Sequence, residues 1–275
     1  MHHPERFHAL DATRAFALLL GVVFHGAWFY ALDPLGTGVK DVTANHFFGW
    51  FFHTSHTFRM QTFFLIAGFF ARLVIQKRGV KSFARNRLIR IGIPLVVGWF
   101  ILLPLLITVW VWGRNLSGQN PADVPPLLAG IGVVVSGAIF VERSDGGAFG
   151  WTHLWFLYYL LVFYLLTLAG RAVLLLTPVC GEPILGRLDR FIRFLTASPP
   201  GALVLVLVLT PAIWSMTSWL GIDTPGFSKT PVLKVTIAYL AFFLLGWFVH
   251  RQAHELGALF RQWKFYLGAG LLASV

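Results

Sequence analysis

Arg14 and His25 stand eleven residues apart in the first apolar run of the chain, about residues 12–32. Eleven residues make almost three helical turns. On a helix the two side chains therefore fall about 20° apart on one face and roughly 16 Å apart along the axis. A fixed cation and a titratable imidazole are both costly to hold inside a bilayer, and such residues mark functional positions by default. That face suits a buried reaction site better than a plain anchor. Asp11, three residues before Arg14, can pair with it on the helix surface. Alternatively, Asp11 and Arg14 snorkel to the interface and His25 is a satisfied polar residue.

A second polar group lies in the run 46–75, where His46, His53, His56 and Arg59 fall at spacings of seven, three and three. The spacings of the three histidines place them roughly on one side of a helix. With no H-E-x-x-H pattern and no nearby carboxylate, a metal site is not expected. Interfacial polarity and the lining of an acceptor cavity both account for them. Further on, Arg87 and Arg90 at i and i+3 can clamp phosphates through charge-assisted hydrogen bonds, although membrane topology alone also explains them. His153 and Trp155 open another apolar run; an aromatic belt accounts for Trp155, and His153 reads as a headgroup contact or an acceptor-site residue.

The elements that must position these groups are membrane helices. The chain has 275 residues, 57% of them hydrophobic and 12% charged, with a mean hydropathy of +0.71. Runs of about 20 apolar residues cross a hydrocarbon core. They predict spans at about 12–32, 46–75, 88–112, 151–176, 201–221 and 232–250. A partial span at 265–275 reads as a chain cut short at its C-terminus. The fold class is all-α, a single polytopic transmembrane helix bundle over 1–275 without repeats. The lone Cys180 excludes an internal disulfide framework. The first run is too long for a cleaved signal peptide and lacks a small-x-small site.

The net charge of +11 points to topology rather than to nucleic acid. Arg6, Lys77, Arg78, Lys81, Arg85, Arg87, Arg90, Arg171, Arg187, Arg190, Arg193, Arg251, Arg261 and Lys264 fall on one side if the N-terminus is cytoplasmic. Lys40, Arg114, Arg143, Lys229 and Lys234 fall on the other. Positive-inside topology follows, with the protein in the inner membrane. A crossing at 127–141 would invert every later loop, so that stretch is expected to be interfacial or re-entrant.

Together these residues resemble the membrane acyltransferase-3 family. The likeness rests on Leu10-Asp11-x-x-Arg14 with His25, on the Phe63-Phe64-Leu65-Ile66-Ala67-Gly68-Phe69 phrase with Ala67 where serine is common, on Arg87/Arg90 before a Gly/Pro helix, and on His153-Leu-Trp-Phe-Leu. It covers about residues 6–165 and is closest to the branch that succinylates periplasmic glucans. Thr13, Ala15 and the short C-terminal part depart from the pattern. The resemblance implies transfer of an acyl group from cytoplasmic acyl-CoA, a co-substrate rather than a resident cofactor, to a hydroxyl of a carbohydrate or glycan outside. It implies His25 as general base, with Arg14 and Asp11 beside it, and CoA phosphates held by Lys77, Arg78, Arg85, Arg87 and Arg90. The acceptor would meet His56, Arg59, His153 and Trp155. The rival reading is a proton-coupled transporter or flippase, since buried Arg and His also mark transport; matched broken helices and internal repeats are missing from the sequence.

Overall fold

The computed structural model describes residues 8–32, 40–118, 125–136, 150–176, 178–217, 221–226, 228–252 and 263–273. The fold is an all-α membrane bundle. In chain order the helices are α1 (His8–Tyr30), α2 (His46–Arg87), α3 (Ile93–Leu116), α4 (Pro126–Val135), α5 (Trp155–Leu176), α6 (Pro178–Ala197), α7 (Pro199–Trp214), α8 (Leu233–Arg251) and α9 (Trp263–Ala273). Among the described residues three helical stretches are long and apolar enough to cross a membrane: His46–Leu116, Thr152–Leu176 and Leu233–Arg251. The pair Leu185–Thr196 and Pro199–Trp214, bent by 102°, qualifies together as a fourth. The 23 residues of α1 extend about 34 Å, and their apolar part, Ala15–Tyr30, is shorter than these stretches.

The connector expected between 46–75 and 88–112 is helical. Gln, Lys, Arg and Ala in this stretch favour helix, and they carry α2 through to Arg87. The 71 residues of His46–Leu116 would extend roughly 106 Å if straight, more than three bilayer cores. The run is instead divided by Gly79, at φ 75° and ψ 166°, a conformation that only glycine adopts freely. A five-residue π turn, Leu88–Gly92, follows. Pro94 lacks an N–H, and in a regular helix its ring would press on the Arg90 carbonyl; the wider turn relieves that conflict. The two predicted spans are thus arms of one bent helical run.

Within the stretch 127–141 the described residues form one short helix, and 137–141 lie outside the described residues. α4 has ten residues, about 15 Å, too few to cross. It packs on α3 at Gly130, where a Cβ would overlap the Pro104 carbonyl and the Thr108 hydroxyl. The expected span 201–221 begins earlier, at Pro199, and ends at Trp214. The arginines of 187–193 lie on the amphipathic helix α6 rather than in an open loop.

The core lies where α2, α5 and α8 meet. Phe64, Phe163, Tyr159, Tyr239 and Phe243 are almost wholly buried there. α2 and α8 cross at backbone distance. A Cβ on Gly68 would strike the Phe243 carbonyl, and one on Gly246 the Leu65 carbonyl. Small residues at a crossing let two membrane helices approach closely, which maximises van der Waals contact where no hydrophobic drive exists. α1 packs on α2 through buried Ala17, Phe24 and Ala27. Its other faces expose Phe16, Leu18, Leu19, Val22 and Val23, as lipid contact requires.

Candidate active site

His25 lies five residues before the end of α1. Two segments converge on it. One is the turn ahead of α5: the His25 and His153 ring centroids are 4.7 Å apart. That turn is held firmly. Trp99 Nε1 donates to the Gly150 carbonyl at 2.9 Å, Trp151 Nε1 to the Lys229 carbonyl at 3.2 Å, and the Thr152 amide to the Gly226 carbonyl at 2.7 Å. Thr152 sits at φ +45°, a costly conformation for a β-branched residue, and these bonds hold it there.

The other segment is the outer half of α2. Phe24 stacks on Phe52 with centroids 4.3 Å apart, and His56 lies 5.8 Å from Phe24. The Arg59 guanidinium sits 4.0 Å over the Phe24 ring, against the α1 backbone at Gly21. A cation–π contact is worth up to about 2 kcal/mol when desolvated, whereas burying an ion costs several kcal/mol. The ring alone therefore does not offset the burial of this arginine. Its Nε is buried with no hydrogen-bond partner. His25 and His153 stay accessible, while His56 and Arg59 are half-buried.

The structure brings a third segment over these residues. His56 Nε2 is 3.1 Å from Thr224 Oγ1. The 221–226 turn is fixed by Gly221 at φ +116°, by Tyr239 donating to the Ile222 carbonyl at 3.4 Å, and by the Asp223–Lys234 ion pair at 2.8 Å. Sequence reasoning passed over Thr224, Asp223 and Tyr239. The Gly-Ile-Asp-Thr-Pro-Gly run is a turn signal, but turn chemistry does not say which helix the turn will cover.

Toward the other end of the bundle a small cleft opens between α1, α2, the π turn and α5. Ala17, Phe63, Ala67, Arg87, Ile91 and Tyr164 are among its walls. Arg87 lies over Phe83 and Tyr164, 5.0 and 5.5 Å from the ring centres, and its Nε is buried without a partner. Ala17, Gly21 and His25 follow one another at intervals of four on α1. Each step turns about 40° and climbs about 6 Å, so the cleft wall, Arg59 and the imidazoles lie along one side of α1.

Of the residues singled out in the sequence, His25, His56, Arg59 and His153 come together. Arg87 lines the cleft, while Lys77, Arg78, Arg85 and Arg90 are exposed beyond it. Trp155 is apart from the group, buried against Phe64, Tyr159 and Tyr239. Asp11 and Arg14 belong to α1, but their side chains lie outside the described residues. Among the described residues no three of His, Cys, Asp and Glu are grouped to hold a metal ion.

A family model described as an acyltransferase domain, that of acyltransferase family 3, matches residues 7–275. The chain belongs to the acyltransferase-3 family. Glucans biosynthesis protein C of Salmonella paratyphi B and that of Salmonella heidelberg are each 33% identical to it over 101 residues, 37% of this chain. That stretch spans a quarter of the length of those acyltransferase-3 relatives, 25% of each. No solved structure matches the chain.

Proposed function

We propose that this acyltransferase-3 chain transfers an acyl group from cytoplasmic acyl-CoA to a hydroxyl of an extracytoplasmic carbohydrate, with His25 as general base. The observation that carries this reading is the line along α1. A cleft lined by Ala17 and Arg87, whose Nε is buried, lies on the same side of α1 as an accessible imidazole two four-residue steps further on. The Arg87 guanidinium suits a CoA phosphate, to which arginine bonds strongly. The apolar walls of the cleft suit the pantetheine arm. The thioester then approaches His25 from below while a hydroxyl reaches it from outside. An imidazole that is neutral near working pH takes the hydroxyl proton. His153 and His56, steadied by Thr224, line the side from which the acceptor arrives.

The names of the relatives support a glucan as the acceptor. The basic flanks Lys77–Arg90 and Arg187–Arg193 support a cytoplasmic N-terminus in the inner membrane. The test is incubation of membranes carrying the chain with labelled acetyl-CoA, succinyl-CoA and longer acyl-CoAs plus glucan oligosaccharides. Label on the oligosaccharide and free CoA in equal amounts are expected. Solute uptake with no acylated product would favour transport and overturn the assignment.

A further inference from the structure

We infer that Arg59 is a catalytic residue of this site, its guanidinium holding the negative charge that develops on the thioester carbonyl oxygen during transfer. The inference rests on the acyl-transfer reading above and adds to it the group that faces the oxyanion.

Arg59 stands on α2 opposite Gly21, one helical turn below His25 on α1. Its Nη1 is 3.0 Å from the place a Gly21 Cβ would occupy, so the absence of a side chain there admits the guanidinium to the α1 surface. Phe24 fixes it from the adjoining position at 4.0 Å. The same Phe24 ring lies 5.0 Å from the His25 ring, which in turn lies 4.7 Å from His153. Among the described residues no carboxylate pairs with it, whereas Arg251 is paired with Asp189 and Lys234 with Asp223. Its Nε keeps an unused donor in a buried place. A cation held in this way matches negative charge supplied by the reactants.

The level of Arg59 decides which charge. A thioester entering past Ala17 meets Gly21 and Arg59 before it meets His25. The acceptor oxygen bonds to the carbonyl carbon and gives its proton to His25. The carbonyl electron pair moves onto oxygen, which becomes an oxyanion against Arg59. Collapse restores the carbonyl and breaks the C–S bond, and the CoA thiolate leaves with the proton from the imidazolium. Charge placed in advance where charge develops, in a site of low polarity, is among the largest contributions to catalysis.

The experiment compares wild type, Arg59→Met and Arg59→Lys as purified full chains in nanodiscs, with acetyl-CoA and succinyl-CoA as donors and glucan oligosaccharides as acceptor. Arg59→Met is expected to lower kcat by ~10²–10³-fold, the scale of a lost oxyanion donor. Donor KM should change little, and CoA binding measured by titration should be kept. Arg59→Lys, which retains the charge, should recover part of kcat. Retained CoA binding also shows that the Met variant is folded; if it is lost, the Lys variant decides, and full activity or a pure KM defect there overturns the assignment. Normal kcat in Arg59→Met overturns it as well. So does a loss confined to succinyl-CoA and expressed in KM, which would make Arg59 a ground-state carboxylate contact. Wild type that transfers from neither donor sinks the acyl-transfer reading itself, a result distinct from all of these.

Discussion

The imidazoles of His25 and His153 sit with ring centroids 4.7 Å apart and planes tilted by 49°. One ring belongs to α1 and the other to the turn that opens α5, and that turn is fixed through Thr152 to the Gly226 carbonyl. The contact joins two distant segments of chain into one polar surface.

From this arrangement, His25→Ala should reduce acyl transfer by ~10²-fold or more, the usual scale for a lost general base. Donor binding should persist, because Arg87 and the cleft lie toward the other end of α1. His153→Ala should act chiefly on the acceptor KM. Rate and CoA binding measured on the same purified variants check both; near-normal turnover in folded His25→Ala would remove the base assignment.

Donor contacts should prove unequal. Arg87 lines the cleft and buries its Nε, whereas Arg90 is exposed. Arg87→Gln is expected to raise donor KM more than it lowers kcat, the signature of lost uniform binding. Arg90→Gln should do little at moderate ionic strength, where exposed charges are screened. Steady-state kinetics against acyl-CoA concentration separates the two, and an unchanged donor KM in both variants would assign both residues to membrane topology.

The α2–α8 crossing should be intolerant of a single methyl. Gly246→Ala pushes a Cβ into the Leu65 carbonyl, a backbone atom that cannot rotate away. Overpacking of this kind costs about 1–3 kcal/mol or more. A lower thermal midpoint in detergent is expected, whereas Gly132→Ala, which meets nothing within 4 Å, should be neutral. Equal midpoints would mean the helices are farther apart than described.

Orientation can be read with reporters. Arg251 at the end of α8 is bonded to Asp189 of α6 at 2.7 Å, so the basic residues of α6 lie beside that end of α8. Reporters at Lys81 and Arg190 should both report the cytoplasm, and one at Asp145 the outside. An external signal at Arg190 would invert the second half of the bundle.

What the sequence determined by itself was local. Apolar runs long enough to span, the basic flanks between them and the Arg14/His25 spacing are properties of neighbouring residues, and helix periodicity turns them into spans and faces. The likeness to acyltransferase family 3 was legible in the same short phrases. Even so, the bend at Gly79 was hidden, because glycine inside a run of helix formers does not announce its φ. Tertiary structure decided which faces meet. Gly68 and Gly246 set the approach of α8 to α2, and Gly21 admits Arg59 to α1. Thr224 reaches His56 only because residues 221–226 are tied back over α2. These contacts depend on the rotation and crossing of whole helices. Packing between residues far apart in the chain fixes that rotation, and short-range pattern carries no record of it.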